Sequence, residues 1–119
     1  MSRAQLSTAE TTPLRPLVFE ILLLLNDKER HGYGIMKEVN DAGNHSILGP
    51  GTLYRTLKQM RDQGWIELAA QRPIDDDPEE RRRYYTVTDR GRRVAAQEAA
   101  RMAGLVEVAR AGRLLDGAP

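Results

Sequence analysis

Apolar and polar positions alternate along this chain with periods that change at identifiable residues. After a polar stretch, residues 1–12, Pro13 and Pro16 stand where a helix can begin, and "LVFEILLLLN" follows. That run is apolar nearly all round, the pattern of a helix buried on most sides and central to a core. "DKERHG" interrupts it. From Tyr33 to Asn40 a second short helix is predicted, with Ile35, Met36 and Val39 on one stripe. "DAGNHSILGPG" has turn chemistry. The stretch Gly49–Trp65, "GPGTLYRTLKQMRDQGW", then reads as a third helix. Leu53, Leu57 and Met60 recur at i, i+4, i+7, and Gly64 suits a left-handed stop.

Beyond Gly64 the period drops to two. "WIEL" is a short strand with Ile66 and Leu68 on one face, and "RYYTV" is another, with Tyr85 and Val87 inward and Tyr84 and Thr86 outward. A long polar turn, "AAQRPIDDDPEERR", joins them. Thr88 can cap a last helix from Asp89 to Leu115. The fold class expected is mainly α with a small β-hairpin: a winged helix-turn-helix over 13–88, a long C-terminal helix over 89–115, and tails at 1–12 and 116–119.

The third helix raises the functional question. On a wheel, Gly51, Thr52, Arg55, Lys58, Gln59 and Asp62 lie opposite the apolar stripe. Small residues at the start of a helix admit it closely to base edges. Arg and Gln can make bidentate contacts with guanine and adenine, and Lys can meet phosphate. An ordinary solvated face would also be polar, so the hairpin and the preceding turn carry much of the weight.

Composition narrows the class. In 119 residues, enough for one domain, hydrophobic residues make up 40% and charged ones 29%, which fits a globular chain rather than a disordered one. The net charge is only +1, so local charge matters more: "RRRYYTVTDRGRR" holds six arginines against one aspartate. Absence of cysteine excludes disulfides and thiolate metal sites, and no apolar leader is visible, so a cytoplasmic protein is expected. His31 and His45 are isolated near turns, and the acidic "DDDPEE" reads as a solvated loop that points away from DNA or pairs with Arg81–Arg83. Neither supplies a metal site, and no catalytic set or cofactor motif is readable. Trp65, at a helix–strand junction, reads as a cover for the core edge in preference to a stacking platform.

Three stretches, "HGYGIMKEV", "GPGTLYRTLKQMRDQGWIEL" and "RRRYYTVTDRG", together resemble the PadR family of transcriptional regulators. The family's Gly-Tyr at the second helix, Gly-Thr-Leu-Tyr at the recognition helix and Arg-x-Tyr-Tyr-x-Leu-Thr-x-x-Gly in the wing match Gly32-Tyr33, Gly51 to Tyr54, and Arg82 to Gly91. Arg55 stands where many members have proline, and Val87 replaces a leucine. The resemblance implies a DNA-binding regulator, a repressor on a palindromic operator, whose affinity a small effector modulates. It places Thr52 and Tyr54 on the DNA near the helix start, and Arg82, Arg83 and Tyr84 of the wing near phosphates or the minor groove. Arg55 and Gln59 are the base-reading candidates and Lys58 the phosphate candidate.

The last helix resembles that of the family's shorter subgroup, which dimerises through it. A heptad seam is also legible in its residues: Ala95, Met102 and Ala109 in one position, Ala99 and Val106 in the other. Leu105, Val108 and Leu115 form a separate stripe. The expected partners are double-stranded DNA and a second copy of the chain. A winged-helix module that binds protein and no DNA is the alternative; its contact face would more often be apolar than arginine-rich.

Overall fold

The computed structural model describes residues 13–69 and 84–115. Helices α1 (Pro16–Asp27), α2 (Gly32–Ala42) and α3 (Pro50–Asp62) precede strands β2 (Ile66–Leu68) and β3 (Tyr84–Val87) and the long helix α4 (Asp89–Ala111), with a two-residue strand β1 (Arg30–His31) between α1 and α2. The protein is mostly helical, with one small antiparallel sheet in the order β1-β3-β2. The tails, the loop 70–83 and with them Arg82 and Arg83 lie outside the described residues.

The sheet differs from the expected two-stranded hairpin. β1 pairs with β3, Arg30 opposite Tyr85 and His31 opposite Tyr84, while β2 pairs on the other side, Ile66 opposite Val87. Two charged or polar residues inside "DKERHG" carry no period-two signal, so only the tertiary contact makes them a strand. Arg30 has a second task. Its buried guanidinium donates to the Leu24 carbonyl, which also accepts the Lys28 N–H, to the Lys28 carbonyl, and to the carboxylates of Asp27 and Glu38. One side chain thus closes the end of α1 and ties it to α2.

Each helix end has a local cause. Pro16 starts α1. His31 caps α2, its Nδ1 accepting from the Gly34 N–H at 3.0 Å, and Gly43 ends it in the left-handed region. α3 ends in a Schellman arrangement: Trp65 N–H reaches the Met60 carbonyl and Gly64 N–H that of Arg61, with Gly64 at φ 79°. The turn from α2 to α3 is fixed by a reciprocal pair, the Leu48 N–H on Asn40 Oδ1 at 2.7 Å and Asn40 Nδ2 on the Leu48 carbonyl at 3.1 Å. His45 Nε2, 2.6 Å from Glu20 Oε1, ties the same turn to α1.

The core gathers Val18, Ile21, Leu22 and Leu25 of α1, Ile35 and Val39 of α2, and Leu53, Leu57 and Met60 of α3 against Ile66, Tyr85 and Val87. Trp65 is buried with them. α4 joins this core only through its first turns, Gly91, Val94, Ala95 and Glu98. It stops at Ala111, four residues before the predicted Leu115, because Gly112 and a left-handed Arg113 turn the chain back. No helix among the described residues is long and apolar enough to cross a membrane.

Candidate nucleic-acid interface

α3 buries Leu53, Thr56, Leu57 and Met60 and exposes everything else. The outward residues divide into a centre and two flanks. Gly51, Arg55 and Asp62 point directly away from the core, on the 100° wheel. Tyr54, Lys58 and Arg61 lean toward β2, where with Asp62, Ile66, Glu67, Leu68 and Tyr85 they border a cleft of about 560 Å³. Thr52, Gln59 and Gln63 lean the other way, toward the start of α1. All five predicted α3 contacts, Thr52, Tyr54, Arg55, Lys58 and Gln59, are therefore solvent-facing and lie on one helix within 8 residues of sequence.

Their internal bonds differ. Arg55 makes no hydrogen bond or ion pair among the described residues, so its five donors are unclaimed. Lys58 Nζ lies 3.1 Å from Asp62 Oδ2, an exposed pair one turn apart that solvent screens and that a phosphate could displace. Gln59 is held from outside its helix: Arg15 Nη2 donates to Gln59 Oε1 at 2.9 Å. Tyr54 rests its ring on the start of α2. A methyl group built on Gly32 would come within 2.6 Å of the Tyr54 hydroxyl and 2.8 Å of its Cε1, which explains a glycine there.

Tyr84 is half-buried on β3, beside β1. Its ring meets that of His31 edge-on, centroids 5.4 Å apart, and His31 in turn stacks against Tyr33 at 6.4 Å. Tyr84 and Tyr54 thus both border the α2 start, one across His31 and one across Gly32. Arg82 and Arg83, the wing cations of the sequence reading, fall outside the described residues.

Two contributors were not legible in the sequence. Arg61 lies seven residues after Tyr54 on the same flank, and a wheel drawn around the core stripe passes it over as peripheral. Arg15 approaches α3 from 44 residues away, which no local pattern signals. The dimer candidates also divide. Ala95 is buried in its own domain, whereas Ala99, Met102 and Val106 are exposed and Ala109 is partly covered by the C-terminal turn.

Residues 21–97 match the model of the transcriptional regulator PadR-like family, well over half of the chain. None of the curated proteins matches the sequence. Among solved structures, the fold is similar to a PadR family transcription regulator from a hypervirulent Clostridium difficile strain, with TM-score 0.67 and 24% identity over 79% of this chain and 94% of that one. A PadR-like transcriptional regulator from Bacillus cereus superposes with TM-score 0.65 at 23% identity, covering 82% of this chain and 90% of the other. A PadR-like transcription factor from Bacteroides fragilis gives 0.65 at 21% identity, covering 91% and 94%.

Proposed function

This chain belongs to the PadR-like family of transcriptional regulators, and on that premise we propose that it is a repressor that occupies a palindromic operator as a homodimer. The observation that carries the DNA contact is the outer face of α3, where Arg55 stands unpaired between Lys58 and Arg61 on one side and Gln59 on the other. Arg55 and Gln59 face base edges, Lys58 and Arg61 face phosphate, and Thr52 and Tyr54 meet the backbone near the helix start. Tyr84, with Arg82 and Arg83, serves the flanking phosphates.

Dimerisation is supported by the distal part of α4. Met102, Leu105, Val106 and Val108 are exposed at 36%, 56%, 41% and 70%, an apolar face that a single copy leaves in water. Ala99 and Ala109 between them let a second helix approach closely. With Ala95 committed to its own core, the seam runs from Ala99 onward. Two-fold symmetry then sets the recognition helices on successive major-groove faces, about 34 Å apart.

An effector site is supported by a cleft of about 390 Å³ bordered by Pro13, Arg15, Val18, Gln59, Gln63 and Trp65, next to the reading flank of α3. Trp65 is the sole tryptophan, so its fluorescence reports occupancy.

A salt-titrated shift assay on random duplex tests the DNA reading. Affinity should fall steeply with salt as phosphate contacts release counterions. A flat response would favour the protein-binding alternative. Sequences selected from a random pool should be palindromic.

A further inference from the structure

The bond between Arg15 and Gln59 has a chemical consequence for which base edge this chain reads. A guanidinium can only donate. The amide of Gln59 must therefore turn its oxygen toward Arg15, as it does at 2.9 Å, and its NH₂ group away. A glutamine that reads adenine needs both ends of its amide, the oxygen for the adenine N6–H₂ and the nitrogen for N7. Here one of the oxygen's two lone pairs is taken by a guanidinium N–H, whose positive charge beside it opposes the approach of the adenine N6–H₂ donor, while the other end of the amide only donates. Both side chains are exposed, on the flank of α3 that carries Thr52 one turn pair earlier.

We propose that Arg15 and Gln59 act as one donor-only reading unit, and that its target is guanine, whose O6 and N7 are two adjacent acceptors in the major groove. Adenine offers one acceptor there beside a donor, thymine one acceptor, and cytosine a donor. Guanine is the base that a purely donating pair fits best. Arg15 is the positioning residue in this pair and Gln59 contributes the contact. The proposal rests on the DNA-binding reading above and adds to it a base preference at one position, set by a residue outside the helix-turn-helix.

Arg15 is also free to be changed. It precedes α1 and makes no side-chain cap bond to that helix, and only its carbonyl, on the Phe19 N–H, serves the helix. Arg15→Ala leaves that carbonyl in place.

The test is selection from a random duplex pool, followed by competition binding with each base pair substituted in turn, for the wild type, Gln59→Ala and Arg15→Ala, with thermal melts of all three. In the wild type one position per half-site should prefer guanine over adenine by about tenfold. Gln59→Ala should lose the preference at that position alone. Arg15→Ala frees the amide oxygen, so the same position should turn toward adenine while the other positions keep their preferences. Three results would overturn the proposal and leave DNA binding intact: an adenine preference at the Gln59-dependent position in the wild type, an Arg15→Ala protein that loses affinity equally for every duplex, or one whose base preferences are unchanged. A wild-type protein that selects no sequence overturns the DNA-reading function and this proposal together.

Discussion

Glu98 and Arg101 stand one turn apart on α4, and the carboxylate of Glu98, fully buried, is held by both arms of the guanidinium, Nε to Oε1 at 2.9 Å and Nη2 to Oε2 at 2.7 Å. The Arg101 bonds hold the Glu98 carboxyl below its ordinary range; burial opposes them, and the Leu14 backbone N–H adds to the lowering. The pair therefore links α4 to the segment leading into α1.

Because the folded value is depressed, the stability this carboxylate contributes is complete above the unfolded value of about 4.3 and is lost as pH falls through the lower folded value. Arg101→Ala should melt below the wild type near neutral pH, since it leaves a buried carboxylate without its cation. The gap should narrow as the medium is acidified. Melts in a pH series read this directly, and a gap independent of pH would remove the charge from the explanation.

Gly91→Ala should destabilise the fold by about 1–3 kcal/mol. A methyl group there would lie 2.1 Å from the Trp65 carbonyl oxygen and 2.8 Å from Val87 Cγ2, so backbone must move to admit it. Denaturant unfolding measures the loss. Gly104→Ala, where nothing stands within 4 Å, is the control and should be neutral or slightly stabilising.

Arg55→Ala should relax the preference at one or two base pairs per half-site, at a cost of about 1–3 kcal/mol on the operator and much less on random DNA. Lys58→Ala should weaken all duplexes similarly and flatten the salt dependence by about one unit. Equal losses for Arg55→Ala on operator and random duplex would assign it to phosphate instead.

These contrasts also show what the sequence made legible. The two faces of α3 were, because burial imposes a 3.6-residue period on Leu53, Leu57 and Met60 and leaves Arg55 and Lys58 opposite. So were the alternation of Tyr84 and Tyr85 and the Thr88 cap, each a local rule. Glu98 was not. A lone glutamate among alanines reads as solvated, and its burial follows from Arg101 and from a backbone group 84 residues away, at Leu14. Arg30, strand β1 and the Arg15–Gln59 bond escaped for the same reason: their causes are contacts between elements. The heptad period of α4 runs through Ala95, yet the domain has already buried that residue, which the period alone does not signal.

Val106→Glu should give a monomer with an unchanged melting temperature extrapolated to low protein concentration. Val106 is 41% exposed in the single chain, so the charge costs little there and much in a seam between two copies. Sedimentation at micromolar concentration decides it, and a variant that stays dimeric would move the interface away from this face.

Thr88 sits at the joint between α4 and the rest. Its hydroxyl proton is shared between the Gly64 carbonyl at 2.6 Å and the Trp65 carbonyl at 3.0 Å, just past the end of α3, and its oxygen accepts the Gly91 N–H. Its own N–H bonds to Trp65 as well. The end of α3 and the start of α4 are in this way hydrogen-bonded to each other through one residue. α4 has 23 residues, about 34 Å at 1.5 Å per residue. If two such helices cross near Leu105, about 24 Å from the start of α4, swinging one by about 10° carries its reading head roughly 4 Å, about one step of base stacking at ~3.4 Å. Half-site spacing is then set by the angle between two levers, and anything that alters that angle changes which operators fit without touching a single base contact.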